Sequence, residues 1–147
     1  MQLTRFTDYA LRVLLFVGRE QGRRCTIAEI AHYYRISPEH LRKVVHRLAK
    51  IGYLASSRGK GGGLVLGRDP LHIRIGDVIT AMEEQLCVVD CHALDCVLLP
   101  HCSLKVALDR ASGAFVAAMN EVTLANLLGE RRMMRQMTSV DTIARAT

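Results

Sequence analysis

A chain of 147 residues, half of them apolar, suits one packed domain or one domain with an added oligomerisation helix. Twenty Lys and Arg against 14 Asp and Glu leave a formal net charge of +6, which suits a polyanionic partner. No run of eighteen apolar residues occurs, and Arg5, Asp8 and Arg12 break the apolar pattern of the N-terminal segment, which argues against a membrane span or a secretory signal core. A cytoplasmic, reducing setting is therefore expected, in which five cysteines imply metal ligation or thiol chemistry rather than a disulfide frame.

From the N-terminus, Phe6, Ala10, Val13, Leu14 and Val17 recur at helical spacing and predict a first helix with one core face, ended by Gly18 or Gly22. Thr26 and Glu29 form a capping-box pattern that starts a short second helix reaching about Tyr34. Ser37 and Pro38 supply an N-cap and a first-turn proline for a third helix. Its buried stripe is Leu41, Val44, Val45, Leu48 and Ile51, and Gly52 stops it. The opposite face carries Glu39, His40, Arg42, Lys43, His46, Arg47 and Lys50. Two helices joined by a tight turn, the second cationic outside, match a helix-turn-helix whose second helix enters the major groove of DNA.

Residues 53–66 read as two short strands around a glycine-rich turn that carries Arg58 and Lys60, the pattern of a wing. Its glycines let the tip approach a backbone closely, and Arg58 can enter a minor groove or meet phosphates. A solvated hairpin with ordinary surface charge is the plain alternative. The absence of a GxxxxGK[ST] pattern argues against a nucleotide-binding enzyme loop.

Ile73, Ile75, Val78, Ile79 and Met82 predict a small strand and then a short helix from about Gly76 and Asp77. Further on, Ser103 is a candidate N-cap for one long helix whose apolar positions are Leu104, Leu108, Ala111, Phe115, Ala118, Met119, Val122 and Leu127. At roughly 25 residues it would span about 37 Å, too long to bury one face against so small a domain. A homodimer solves this, and two-fold symmetry is also what a palindromic operator requires. The last stretch, 129–147, mixes charge and small residues without firm periodicity and is expected to be mobile. The fold class expected is thus mainly α with a small β wing. Its parts are a winged helix-turn-helix over 1–84, a cysteine-rich loop over 85–103, a dimerisation helix over 104–128 and a flexible tail.

Cys91, Cys96 and Cys102 lie in that loop with four and then five residues between them. Thiolates are soft donors that suit zinc, copper(I) and iron–sulfur clusters. The chain has no CxxC pair, which makes a structural zinc site the second choice. Three thiolates over a twelve-residue loop can wrap an iron–sulfur cluster and leave one position to a residue from elsewhere. Cys87 could add a thiol, and His92 or His101 a nitrogen; incidental loop cysteines are the bland alternative. Cys25 lies apart and is expected to be inert. No nucleophile–base pair or paired-carboxylate spacing points to an enzyme. A small iron–sulfur electron-transfer protein would have little use for the helix-turn-helix and wing.

The stretches MQLTRFTDYALR, RGKGGGLVLG, IRIGDVI and CHALDCVLLPHC, the last ahead of a long helix, resemble the winged-helix iron–sulfur regulators typified by NsrR and IscR over almost the whole chain. Cysteine spacing and the opening MQLTRFTDYA look like the nitric-oxide-sensing NsrR branch. In the IscR branch a histidine follows the third cysteine by three residues; Lys105 stands there here, which disfavours a histidine-ligated 2Fe-2S site. The resemblance implies a homodimeric repressor of palindromic operator DNA that carries an iron–sulfur cluster, 4Fe-4S or 2Fe-2S, and lets go when nitric oxide attacks it. It also implies metal ligation by Cys91, Cys96, Cys102 and the partner subunit's carboxylate at the position of Asp8. Arg12, one turn beyond Asp8, could orient that carboxylate; a surface ion pair worth about 0.3 to 0.5 kcal/mol is the plain alternative. Expected DNA contacts are Glu39, His40, Arg42, Lys43, His46, Arg47, Arg58 and Lys60. A thiol- or zinc-based redox regulator on the same frame is the competing reading.

Overall fold

In the computed structural model, which describes residues 2–57, 59, 62–130 and 133–137, Thr4 caps the first helix, α1 (Arg5–Arg19). Its hydroxyl accepts from the Thr7 amide at 3.3 Å, satisfying one of the amides a helix start leaves free. Ala10, Val13, Leu14, Phe16 and Val17 are all buried, a broader face than one stripe, because α1 runs through the middle of the molecule. Gly18 does not end this helix. It lies inside it, and its missing side chain makes room for Leu128, whose Cδ1 would lie 2.8 Å from a β-carbon there. The chain turns instead at Gln21 and Gly22, both with positive φ.

The helix-turn-helix forms as its caps dictate. In α2 (Ile27–Tyr34) the Thr26 amide donates to Glu29 Oε2 at 2.6 Å while the Glu29 amide donates to Thr26 Oγ1 at 3.2 Å, closing the capping box. Arg35, in the left-handed region at φ 54°, makes the turn, and Ile36 is buried behind it. Next, α3 (Pro38–Lys50) begins at the proline; Ser37 stands at the N-cap position but its side chain makes no cap hydrogen bond. Leu41, Val44, Val45 and Leu48 are buried, whereas Ile51, past the end of the helix, is only partly so.

Strands β1 (Leu54–Ser57) and β2 (Gly63–Leu66) pair antiparallel, from Leu54 with Leu66 to Ser57 with Gly63. The hairpin has a third partner: Cys25 and Leu64 exchange backbone hydrogen bonds at 3.0 and 2.8 Å, which ties the wing to the segment leading into α2. The small strand expected near Ile73 is absent among the described residues. A 3-10 turn (Pro70–His72) comes first, and Arg74 makes only an isolated bridge to Thr123. Helix α4 (Ile75–Met82) follows, with Ile73, Ile75, Val78, Ile79 and Met82 all buried.

The single helix expected to reach Leu128 is two. Ser103 is the first residue of α5 (Ser103–Asn120), with Cys102 at the N-cap position, and the chain breaks at 121–123 before α6 (Leu124–Gly129). The break has a physical cause in a second capping box, in which the Thr123 amide donates to Asn126 Oδ1 at 2.9 Å and the Asn126 amide to Thr123 Oγ1 at 3.2 Å. Leu124 is thereby drawn fully into the core, and α6 lies on α1. Part of the tail is ordered: residues 133–137 are helical, and the Tyr33 hydroxyl donates to the Met137 carbonyl at 2.8 Å. The rest of the tail expected to be mobile, 131–132 and 138–147, lies outside the described residues. No helix among the described residues is long and apolar enough to cross a membrane.

Candidate nucleic-acid interface and cysteine loop

Core packing of Leu41, Val44, Val45 and Leu48 turns the other face of α3 outward, so that Glu39, His40, Arg42, Lys43, His46, Arg47 and Lys50 are all exposed. Arg47 differs from its neighbours. Its Nη2 donates to the Ala81 carbonyl in the last turn of α4 at 3.2 Å. Beside α3, an open groove of about 270 Å³ is lined by Arg5, Phe6, Tyr9, His40, Lys43 and Val44, which adds Arg5 on α1 to the cationic surface. Nothing in the periodicity of α1 marks Arg5; it joins the set because α1 and α3 pack together. The wing residues Arg58 and Lys60 lie outside the described residues. At the turn end of the paired strands Arg24 Nη1 donates to Ser57 Oγ, which adds a cation that no local pattern in the sequence marks. Arg68 fixes wing and helix together: its guanidinium lies 4.5 Å from the Tyr53 ring centre and donates to the Ile51 and Gly52 carbonyls at 2.7 and 3.1 Å.

Between α4 and α5 the chain folds turn upon turn. The Cys96 amide donates to the Cys91 carbonyl at 3.2 Å, the Leu99 amide to the Cys96 carbonyl at 3.1 Å, and the Ala93 amide to Asp90 Oδ1 at 3.0 Å. These local bonds hold Cys91, Cys96 and Cys102 in one short loop, each partly open to solvent, as is Cys87. The Cys91 thiol is pushed above its ordinary value, first by partial burial and then by the charges Cys96 and Cys102 would carry, with Lys105 working the other way. Among the described residues no three His, Cys, Asp or Glu side chains are gathered tightly enough to hold a metal ion. The donor chemistry fits a thiophilic centre such as an iron–sulfur cluster; a fourth donor has to come from outside the three thiols.

Asp8 is not gathered with those thiols in this chain. Arg12 Nε donates to both its carboxylate oxygens, at 3.0 and 2.9 Å, on an open face of α1. His92 and His101 are exposed, and Lys105 is paired with Asp109 at 2.7 Å. Cys25, in contrast, is fully buried, its thiol pushed up to about 11 chiefly by burial, and it donates to the Arg23 carbonyl at 3.5 Å. It stays protonated and shielded, which fits an inert structural thiol.

Around the loop and the start of α5, large apolar side chains stand uncovered: Val97 is 94% exposed and Leu94, Leu98, Leu104 and Val106 at least 60%. Large apolar side chains left this open over one short stretch of chain make it a candidate docking surface. Along α5 only Ser112 is buried, and the helix rests chiefly on α4.

Comparison with known proteins agrees with this architecture. The family model Rrf2, described as an iron-dependent transcriptional regulator, matches residues 3–130. The HTH-type transcriptional regulator NsrR of Geobacillus kaustophilus is 43% identical over 141 residues, covering 93% of this chain and 96% of that protein. Its counterpart in Bacillus subtilis is 42% identical over 132 residues, 87% of this chain and 90% of that one. Among solved structures, that of CymR (YrzC), the global cysteine regulator of B. subtilis, superposes with a TM-score of 0.73 at 26% identity, covering 88% of this chain and 97% of that one.

Proposed function

Since this chain belongs to the Rrf2 family and is a DNA-binding transcriptional regulator, not an enzyme, we propose that it is a homodimeric repressor whose grip on a palindromic operator depends on an iron–sulfur cluster sensitive to nitric oxide. The observation that carries this reading is the placement of three half-open thiols in a loop hung between α4, which packs on α1 and accepts a hydrogen bond from Arg47 of α3, and α5, whose first turn leaves Leu104 and Val106 uncovered. Cys91, Cys96 and Cys102 would hold the cluster, with Asp8 of the other copy as fourth donor. When bound, the cluster supplies iron that nitric oxide attacks and a bond between the two chains.

The chain's own residues do the rest. His40, Arg42, Lys43 and His46, with Glu39 at the start of α3, face outward to meet a major groove, and Arg58 and Lys60 serve as the wing's contacts. Two such faces related by a dimer axis require half-sites about 34 to 36 Å apart. Arg12 Nε already donates to both oxygens of Asp8, so a carboxylate released from the partner has a hydrogen-bond donor within its own helix. Asp8 is thus a donor in competition between two sites, which suits a labile sensing bond better than a permanent one.

The test is anaerobic purification with iron and sulfide analysis, followed by nitric oxide titration monitored by visible absorption beside an operator gel shift. Coloured protein that bleaches as it leaves DNA is expected, with a salt dependence near −0.9 times about six neutralised phosphates. Colourless protein with stoichiometric zinc would overturn the reading in favour of a zinc or thiol switch. Asp8→Ala should alter the spectrum and the nitric oxide response; unchanged behaviour removes Asp8 from the ligand set.

A further inference from the structure

The cationic face of α3 is not all free to meet DNA. Arg47 lies in the last turn of α3, away from the N-terminal turns that a recognition helix presents to base edges. Its guanidinium donates to the Ala81 carbonyl, in the last turn of α4, where a helix leaves carbonyls without intrahelical donors and a cation meets the negative end of the dipole. At the same end of α4, Glu83 Oε1 accepts from the Thr4 amide at 2.8 Å and the Thr4 hydroxyl at 3.1 Å. Thr4 is the N-cap of α1, and Glu83 is the residue on which α4 ends. Between the two latches runs an open groove of about 730 Å³, lined by Thr4, Phe6, Arg47 and residues 81–85. From Glu83 the chain enters the cysteine segment directly, with Cys87 four residues on and Cys91 eight; Asp8 lies one turn along α1 from Thr4.

We propose that Arg47 is a positioning residue for the recognition helix and not a DNA contact, and that with Glu83 it carries the placement of the cysteine loop to the reading head. The loop has one exit on this side, the end of α4, and both latches close on it within three residues. A shift of that exit by about 1 Å takes a 3.2 Å hydrogen bond beyond its reach. Leu41, Val44 and Leu48 keep α3 seated in the core, so opening the latch lets the helix tilt on that seat without unfolding it. Thr4 and Asp8 sit on the same end of α1, so the clasp to the loop and the carboxylate proposed for the partner's site move together.

The inference rests on the cluster reading above, and its test separates the two. Operator affinity is measured across salt concentrations for the wild type, Arg47→Ala, Glu83→Ala and Arg42→Ala, each iron-reconstituted under anaerobic conditions and iron-free, with thermal melting as the check on folding. Arg47→Ala is expected to keep the wild-type salt slope while the ratio of loaded to iron-free affinity falls at least fivefold. Glu83→Ala, which removes no positive charge, is expected to lower the same ratio and so stands in if Arg47→Ala does not fold. Arg42→Ala should instead make the slope shallower by about one and keep the ratio. If Arg47→Ala behaves like Arg42→Ala, Arg47 is a phosphate contact and the latch is wrong. A wild type that binds equally with and without iron overturns the cluster reading itself, and the latch with it.

Discussion

A β-carbon on Gly76 would lie 2.4 Å from Asn120 Oδ1 and 2.6 Å from the Val116 carbonyl oxygen, so α4 and α5 cross more closely than any other residue would allow. The crossing has a cost of its own, because Asn120 Oδ1 is buried with no hydrogen-bond partner among the described residues. Since one of the two clashing atoms is backbone, a methyl at this point cannot be accommodated by a rotamer change alone. Gly76→Ala is therefore expected to destabilise the protein by about 1 to 3 kcal/mol, read as a lower urea midpoint at unchanged slope. Because α5 follows directly from the cysteine loop, the same substitution should disturb the loop's seat as well as the core. In the sequence, Gly76 reads only as the start of a helix. Its close approach depends on a partner helix some forty residues later, and no local pattern carries that. Of the two glycines that could end α1, Gly22 lies at the turn, whereas Gly18 serves a contact with Leu128 that no local pattern carries.

Among the elements, the reading head was the most legible, since the signals that start and stop its helices are local. The Thr26–Glu29 capping box, Pro38 and the stripe from Leu41 to Leu48 fix α2 and α3 by contacts within a few residues. The broken C-terminal helix was not legible, because apolar residues keep helical spacing straight through 121–123 and Asn126 stands where a capping box more often has Glu or Gln. Nor does local pattern show Cys25 pairing with Leu64 across the wing. The segment from the end of α1 into the start of α2 also carries a pH response. For Glu29, burial works upward but is outweighed by the Thr26 amide and Arg23, and for Glu20 burial is likewise outweighed by Arg23 and Arg19; both carboxyls are held below the ordinary value of 4.5. Groups whose folded-state pKa is depressed contribute fully above that ordinary value and progressively less as pH falls below it. Urea midpoints should therefore be steady from about pH 6 to 8 and decline as pH drops below about 5. Arg23 is half-exposed, so Arg23→Ala should cost no more than about 1 kcal/mol at pH 7, and it should flatten the acid decline. An unchanged acid profile in that variant would show that the stabilising groups lie elsewhere.

At the scale of the whole molecule, charge and the cysteine motif are readable in the sequence, which also points to the helix over 104–128 as the seat of a second copy. The start of α5 is apolar where solubility alone would make it polar: Leu104 and Val106 are 65% and 60% exposed, and Val97 and Leu98 in the cysteine loop 94% and 63%. If α5 pairs with its copy, as in the homodimer proposed above, burying these side chains contributes to association, and charging them opposes it at no cost to the monomer's core. Leu104→Asp with Val106→Lys is expected to weaken dimerisation at least tenfold by analytical ultracentrifugation, while far-ultraviolet dichroism stays that of the parent. Operator affinity should fall with it, because a lone head loses the second half-site, and the melting temperature should lose its dependence on protein concentration. The same variant should hold iron poorly if Asp8 acts across the interface, and as well as the parent if every donor lies within one chain. A variant that remains dimeric at micromolar concentration would move the interface off this end of α5, and the shared-ligand arrangement with it.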